Sequence, residues 1–166
     1  MGGYAFVFLA SGQWAGRRSK CWLRLVRRHP RIWFTWLLGE LTRRLTRSEL
    51  AHCLIAYDGA VLDPHINGSR FWPMDPFVLQ YPTLRWVFQV PVRRMDLDRF
   101  ANPRPIPAWP TVMRWLLGGT VKTRDCCSVV CEALRFGGVD VPNMVVSPDQ
   151  LKRWLEEQGY EHAALE

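Results

Sequence analysis

Three of the five cysteines in this 166-residue chain lie within six positions, at Cys126, Cys127 and Cys131. Such a cluster can serve a metal site, a disulfide or one reactive thiol beside structural cysteines. Zinc sites pair their ligands, as in C-x-x-C followed by a second Cys or His pair, and no second pair is evident here. A disulfide between neighbours is strained, and no secretion signal calls for one. The spacing therefore favours one reactive thiol, with no metal and no cofactor.

The local sequence predicts that this thiol lies at the start of a helix. Asp125 is a good N-cap, and the residues after it have helical periodicity, with Val130 and Leu134 on the core face. A cysteine in the first helical turn faces unsatisfied N–H groups and the positive end of the helix dipole, which both stabilise a thiolate. Cys127 is predicted to be this cysteine, and Cys131 to pack in the core. Small apolar cysteines often fill helix cores, so the prediction also needs a base.

The candidate base is His52, in the segment AHCLIAYDGAVLDPHI at residues 51–66. Two apolar runs flank Asp58-Gly59, a strong signal for a two-residue hairpin turn. This turn predicts that His52, Asp63 and His65 project from one face of the hairpin. A helix-start cysteine, a strand histidine and a polar side chain that orients the imidazole form a papain-like arrangement. A structural histidine on a half-exposed strand is the alternative that the hairpin alone leaves open.

The rest of the pattern mixes strands with helices. Residues 4–11 and 84–92 are predicted strands, and Ser147, Pro148 and Gln150 form a capping box for a C-terminal helix. The strands are too few and too hairpin-like for a doubly wound sheet, so we expect an α+β fold with an antiparallel sheet. The length fits one domain over residues 1–166.

The composition and net charge of the chain indicate which binding partners and which cellular location to expect. The chain is 48% hydrophobic and 13% aromatic, which excludes a disordered protein. Its net charge is +7, and much of the excess lies in an Arg- and Trp-rich segment at about residues 17–45. This segment is predicted to be a helical insert that suits an anionic membrane or a protein-assembly surface. No recognition motif favours nucleic acid. No signal peptide or membrane span is evident, which predicts a cytoplasmic or virion-associated protein.

Two segments resemble a known family. TRSELAHCLIAYDGAVLDP is similar to the His segment of the circularly permuted NlpC-type papain-like cysteine hydrolases, and DCCSVVCEALRFGGV is similar to their nucleophile segment. SPDQLKRW resembles the helix that comes next in these proteins. The order, with His first and Cys last, is the permuted one. Ala51 departs from the usual Ser before the histidine, and Pro64-His65 comes directly after the acid.

The resemblance implies a papain-like fold in which the nucleophile helix packs against an antiparallel sheet. It assigns Cys127 as the nucleophile because Ser128 comes directly after it, and it leaves Cys126 as a variable residue. His52 is the base and Asp63 the third residue, with His65 as the alternative. The implied function is a thiol hydrolase that forms an acyl-enzyme on an amide such as a cell-wall peptide. The alternatives are a lipid acyl hydrolase or acyltransferase, and a non-catalytic phage or envelope assembly protein.

Overall fold

The computed structural model describes residues 2–11, 44, 49–65, 68–75, 83–101 and 125–165. These residues form an α+β fold with a six-stranded antiparallel sheet and two α-helices. The strands are β1 (Gly3–Ala10), β2 (His52–Tyr57), β3 (Ala60–His65), β4 (Gly68–Pro73), β5 (Leu84–Val92) and β6 (Glu161–Ala164), and the helices are α1 (Cys126–Phe136) and α2 (Pro148–Glu157). A 3-10 turn covers Asp98–Phe100. The strand order is β4-β3-β2-β1-β5-β6. The predicted antiparallel sheet is confirmed, and the Arg- and Trp-rich segment at 17–45 lies outside the described residues except for Arg44.

The β2–β3 hairpin turns at the two residues that the sequence indicated. Asp58 has a φ of 51° and Gly59 a φ of 76°, so both adopt the left-handed region that a tight two-residue turn requires. The observed pairs are Ile55 with Leu62, Ala56 with Val61 and Tyr57 with Ala60. These pairs are the ones that a two-residue turn at Asp58-Gly59 predicts. Because side chains alternate along a strand, the turn also fixes which residues of β3 share a face with those of β2.

The two faces of the sheet carry separate apolar clusters, as the alternation of side chains requires. The face on which the helices pack includes Val7, Leu9, Cys53, Ile55, Leu62 and Phe88. The opposite face includes Phe8, Ala10, Leu54, Ala56, Val61 and Leu84. Both clusters are buried, so β1 and β2 are covered on two sides and form the centre of the described core.

Helix α1 lies against the sheet through its apolar side. Val130 and Leu134 are fully buried, as the helical spacing predicted. At its C-terminal end the backbone of Gly137 approaches β5 closely. A Cβ added at Gly137 would lie 3.0 Å from side-chain atoms of Val92 and Met95, and the Arg93 amide donates a hydrogen bond of 2.8 Å to the Gly137 carbonyl. The helix end is thus held tightly against the sheet.

Helix α2 begins as its capping box predicted. Ser147 is the N-cap and accepts a hydrogen bond from the Gln150 amide, while Pro148 is the first helical residue. The Gln150 side chain accepts in turn from the Val146 amide at 2.9 Å. Leu151 and Leu155 of α2 are fully buried in the same core cluster as α1. Among the helices that the structure describes, none has the length and apolarity needed to cross a bilayer.

Candidate active site

His52 and Asp63 come together in the sheet. His52 is the first residue of β2 and lies opposite Ala10 of β1, while Asp63 lies on the neighbouring strand β3. Their exposed fractions are 0% and 2%. A hydrogen bond of 2.7 Å joins His52 Nε2 to Asp63 Oδ1. A buried carboxylate in this position fixes the orientation of the imidazole and stabilises its charged form.

His65, the alternative orienting residue, ends β3 and pairs with Gly68 of β4. Its side chain lies outside the part of the chain that the structure describes. The observed hydrogen bond therefore supports Asp63 as the partner of His52, and the role of His65 stays a prediction.

The start of α1 is shaped by its N-cap. Asp125 Oδ1 accepts a hydrogen bond of 2.8 Å from the Ser128 amide, and the Ser128 hydroxyl donates to the Asp125 carbonyl at 2.9 Å. Cys126 is the first residue of the helix, and the first turn carries no acidic side chain. The carboxylate of the N-cap Asp125 partly offsets the positive end of the helix dipole. The first backbone amides of the helix, which have no acceptor within it, can still stabilise a negative charge on a first-turn thiol.

The structure places Cys126 next to His52. The side chain of Cys126 interacts with those of His52 and Cys53 and is half-buried. Cys127 is only 1% exposed and belongs to the core cluster. Its sulfur lies 3.9 Å from Cys131 Sγ, one turn further along the helix. Successive helical residues are rotated by about 100°, so only one of two adjacent cysteines can face the histidine.

This placement differs from the expectation that Cys127 is the reactive thiol. That expectation depended on Ser128 being the residue after Cys127, whereas the Ser128 side chain is used in the N-cap. The signal in the sequence that does indicate Cys126 is its position directly after the N-cap Asp125. In this helix Cys126 is half-buried, whereas Cys127 is buried.

The electrostatics of the pair favour a thiolate and an imidazolium. Burial by itself lowers the pKa of His52, but the neighbouring Cys126 charge and the Asp63 carboxylate outweigh it and raise the pKa to about 10. A hydrogen bond from the Cys53 thiol holds the pKa of Cys126 well below its ordinary value. Burial opposes this effect, and the positive charge of His52 adds to it. Each charge in the pair thus stabilises the other.

The two ring nitrogens of His52 have different environments. Nε2 is held by Asp63. Nδ1 is buried and makes no hydrogen bond of standard geometry with the described residues. Because Nε2 is occupied, Nδ1 is the nitrogen that can exchange a proton with the Cys126 sulfur or with a bound substrate. The three side chains thus form a row in the order thiol, imidazole and carboxylate.

Two other thiols near this site, those of Cys53 and Cys131, have raised pKa values. Burial raises the pKa of Cys53 well above its ordinary value, and its hydrogen bonds to Cys126 and Cys127 act in the same direction. A hydrogen bond to Cys127, together with the smaller effect of burial, raises the pKa of Cys131.

Within the described ranges, no group of three or more His, Cys, Asp or Glu side chains could hold a metal ion.

Comparison of the chain with protein-family models, with curated proteins and with solved structures gives no significant match. The family resemblance therefore depends on the quoted segments alone.

Proposed function

We propose that this protein is a thiol hydrolase of the papain-like type, related to the permuted NlpC group, in which Cys126 forms the acyl-enzyme. The observation that carries the proposal is the position of Cys126 at the start of α1 beside His52, whose other ring nitrogen is held by Asp63. A nucleophile, a base and a residue that orients the base are the minimum set for acyl transfer through a covalent intermediate. His52 and Asp63 keep the roles that the sequence assigned to them, and Cys126 replaces Cys127.

In the first half of the reaction the Cys126 thiolate attacks the carbonyl carbon of an amide. The negative charge that develops on the carbonyl oxygen is stabilised by the backbone N–H of Cys126, because the first amides of a helix have no acceptor within the helix. The His52 imidazolium then donates its Nδ1 proton to the amide nitrogen as the C–N bond breaks. The products are a free amine, a thioester at Cys126 and a neutral His52.

In the second half neutral His52 removes a proton from water while the water oxygen attacks the thioester carbon. The C–S bond breaks, the carboxylic acid leaves, and the thiolate–imidazolium pair is restored. Asp63 stays ionised throughout and keeps its hydrogen bond to Nε2, which holds the ring so that Nδ1 faces the sulfur. Half-burial of Cys126 supports this scheme, because the reacting sulfur must be reached by substrate and by water.

An amide in a cell-wall peptide is the substrate class that the family resemblance favours. The test is incubation of the full chain with peptidoglycan fragments and, in parallel, with simple thioesters and lipid esters. Intact-mass measurement and peptide mapping then locate the acyl group. We expect an adduct at Cys126, formed with peptide substrates in preference to lipid esters. Preference for lipid esters would instead assign an acyl hydrolase or acyltransferase acting on lipids.

The matched variants are Cys126→Ala and Cys127→Ala. Both remove one thiol from adjacent positions of the same helix, and Ala has the higher helix propensity, so each variant can keep α1. We expect the first to abolish the adduct and the second to retain it. An adduct at Cys127, or its loss only in Cys127→Ala, would restore the assignment made from the sequence. Absence of any adduct with every acyl donor would favour the non-catalytic assembly protein.

A further inference from the structure

Three further thiols lie around Cys126 and have no part in the proposed hydrolysis step. Cys53 is next to His52 on β2, and Cys127 and Cys131 lie on α1 with Cys126. None of the four described cysteines forms a disulfide, and all but Cys126 are buried. Their side chains form a continuous row of contacts. Cys53, Cys127 and Cys131 belong to one buried cluster, and Cys126 packs against it. The side chain of Cys53 interacts with those of Cys126 and Cys127, and the Cys127 and Cys131 sulfurs lie 3.9 Å apart.

Oxidation would begin at one defined position in this row. Peroxides react with thiolates that solvent can reach, and neutral buried thiols react slowly. Cys126 combines partial exposure with a position beside the charged His52 and at the start of α1. Cys53 and Cys131 are buried and protonated. The sulfenic acid formed by a hydroperoxide would therefore arise at Cys126.

The geometry also selects the thiol that reacts next. Cys53 lies on the strand that faces α1, in contact with Cys126, and it is not its sequence neighbour. Cys127 is adjacent in the chain, where a disulfide is strained, and its side chain is directed to the core. Cys131 contacts Cys127. Cys53 is therefore the thiol best placed to attack an oxidised Cys126.

We propose that Cys126 is a reversible oxidation site for hydroperoxides and that Cys53 is its resolving thiol. In the first step the Cys126 sulfur attacks one peroxide oxygen, the O–O bond breaks, and Cys126 becomes a sulfenic acid while the peroxide leaves as an alcohol or water. In the second step the Cys53 sulfur attacks the Cys126 sulfur. The S–O bond breaks, the hydroxyl takes the Cys53 proton and leaves as water, and an S–S bond forms. Overall the two cysteines are oxidised by two electrons and the peroxide is reduced by two.

This disulfide would switch off the proposed nucleophile and protect it at the same time. A sulfenic acid without a resolving thiol is oxidised further to sulfinic acid, which is not restored by ordinary thiols. A Cys53–Cys126 disulfide is instead returned to the two thiols by a dithiol reductant through a mixed disulfide. The inference concerns the same sulfur as the proposed hydrolase, but it needs only its reactivity and not its acyl transfer.

The experiment treats the full chain with a small molar excess of hydrogen peroxide, blocks the remaining thiols, and maps the peptides by mass spectrometry without reduction. We expect a cross-linked peptide pair that contains Cys53 and Cys126, with the loss of two hydrogen atoms, and its disappearance after dithiothreitol. Alkylation of Cys126 by iodoacetamide should be lost on oxidation and recovered on reduction. This readout needs no substrate, so its failure and the failure of the hydrolase proposal are distinguishable.

The matched variants are Cys53→Ser and Cys131→Ser, each of which replaces one buried thiol of the same row. In Cys53→Ser we expect the disulfide to be lost and Cys126 to accumulate as sulfinic acid. Cys131→Ser should still form the Cys53–Cys126 pair. If Cys53→Ser fails to fold, the peptide map of the unsubstituted chain decides alone. The proposal is overturned if peroxide leaves Cys126 unmodified, carries it to sulfinic acid without a cross-link, or joins it to any cysteine other than Cys53 of the same molecule.

Discussion

The two helices of the described structure begin with similar caps and differ in the residues directly after the cap. Asp125 caps α1 and Ser147 caps α2, and in each case the cap oxygen accepts from the amide three residues later. At α2 the next residue is Pro148, which has no N–H, and the one after is Asp149, whose carboxylate offsets the dipole and pairs with Arg153. The start of α2 is thus neutralised within its own helix.

At α1 the first residue is instead Cys126, and the first turn contains no acidic residue. The negative charge at this helix end comes from the N-cap Asp125, and Cys126 interacts with His52 of the sheet. The two helix starts therefore differ in their partners: the first turn of α1 interacts with a residue of the sheet, whereas the first turn of α2 is paired within its own helix. An N-cap is present at both helix starts, so it stabilises helices in general and does not by itself distinguish the candidate site.

The difference between the starts of α1 and α2 depends most strongly on His52, the residue of the sheet that interacts with Cys126. His52→Ala leaves the cap and dipole of α1 intact and removes only the partner from the sheet. We expect acyl transfer to fall by roughly 10³-fold, because positioned general acid–base groups contribute about 10²- to 10⁴-fold. The measurement is the rate of adduct formation at Cys126. His162→Ala on β6 is the control, since His162 is exposed and stacks on Phe88. Unchanged acylation in His52→Ala would mean that the helix start alone activates the thiol.

The pH dependence separates Cys126 from an ordinary thiol. Because its neighbours lower the pKa of Cys126, its thiolate should persist to lower pH, and alkylation by iodoacetamide should vary little through the neutral range. An ordinary thiol with a pKa near 8.5 loses about 100-fold in reactive thiolate on going from well above that pH to about pH 6.5. On the alkaline side the raised pKa of His52 keeps the imidazolium protonated until about pH 10, above which turnover should fall.

The control for this profile is the unfolded chain in denaturant, in which Cys126 has lost both His52 and the helix. Its alkylation rate should rise steeply through the ordinary thiol range. A folded protein with the same steep rise would contradict the ion pair.

Asp63→Asn is a smaller change at the same site. The amide oxygen can still accept the hydrogen bond from Nε2, so the ring keeps its orientation, but the negative charge that stabilises the imidazolium is lost. We expect the pKa of His52 to fall below its value of about 10 and acyl transfer to decrease on the order of tenfold. An NMR titration of the imidazole and kcat/KM report the two effects. A silent Asp63→Asn together with a damaging His65→Ala would assign the orienting role to His65.

Ser147→Ala has the smallest expected effect on chemistry and tests the other helix start. Loss of this N-cap should lower the free energy of unfolding by about 1 kcal/mol, as measured by urea denaturation. The alkylation rate of Cys126 should not change, because α2 supplies nothing to the thiol. A clear fall in that rate would show that the two helix starts are coupled through the core that they share.

Local signals in the sequence predicted the elements that carry the site. Asp58-Gly59 predicted the hairpin and its register, because few residues adopt two successive left-handed conformations. Asp125 predicted the start of α1, and the capping box predicted α2. Strand β5 matches the predicted residues 84–92. In each case the determining interaction lies within a few residues of the element.

The features that depend on tertiary contacts were not predicted. The placement of Cys126 beside His52 depends on how α1 is rotated about its axis when it packs, and the helical pattern in the sequence does not determine that rotation. Strand β6 has the sequence EHAA, which lacks the β-branched residues that mark strands, and it is exposed along its length. It exists because β5 offers it a pairing edge. Strand β4 was likewise missed and pairs with β3.

The close contact between Gly137 and β5 fixes one end of α1, so any change in that contact would tilt the helix about its C-terminal end. The 11 residues of the helix span about 16 Å at 1.5 Å per residue, so a tilt of only about 4° at Gly137 would swing the Cys126 end by about 1 Å. A displacement of that size can cost a reaction on the order of 100-fold. A larger side chain at Gly137 would thus tilt the whole helix and move the Cys126 sulfur. The position of the sulfur is therefore determined in part at the opposite end of α1.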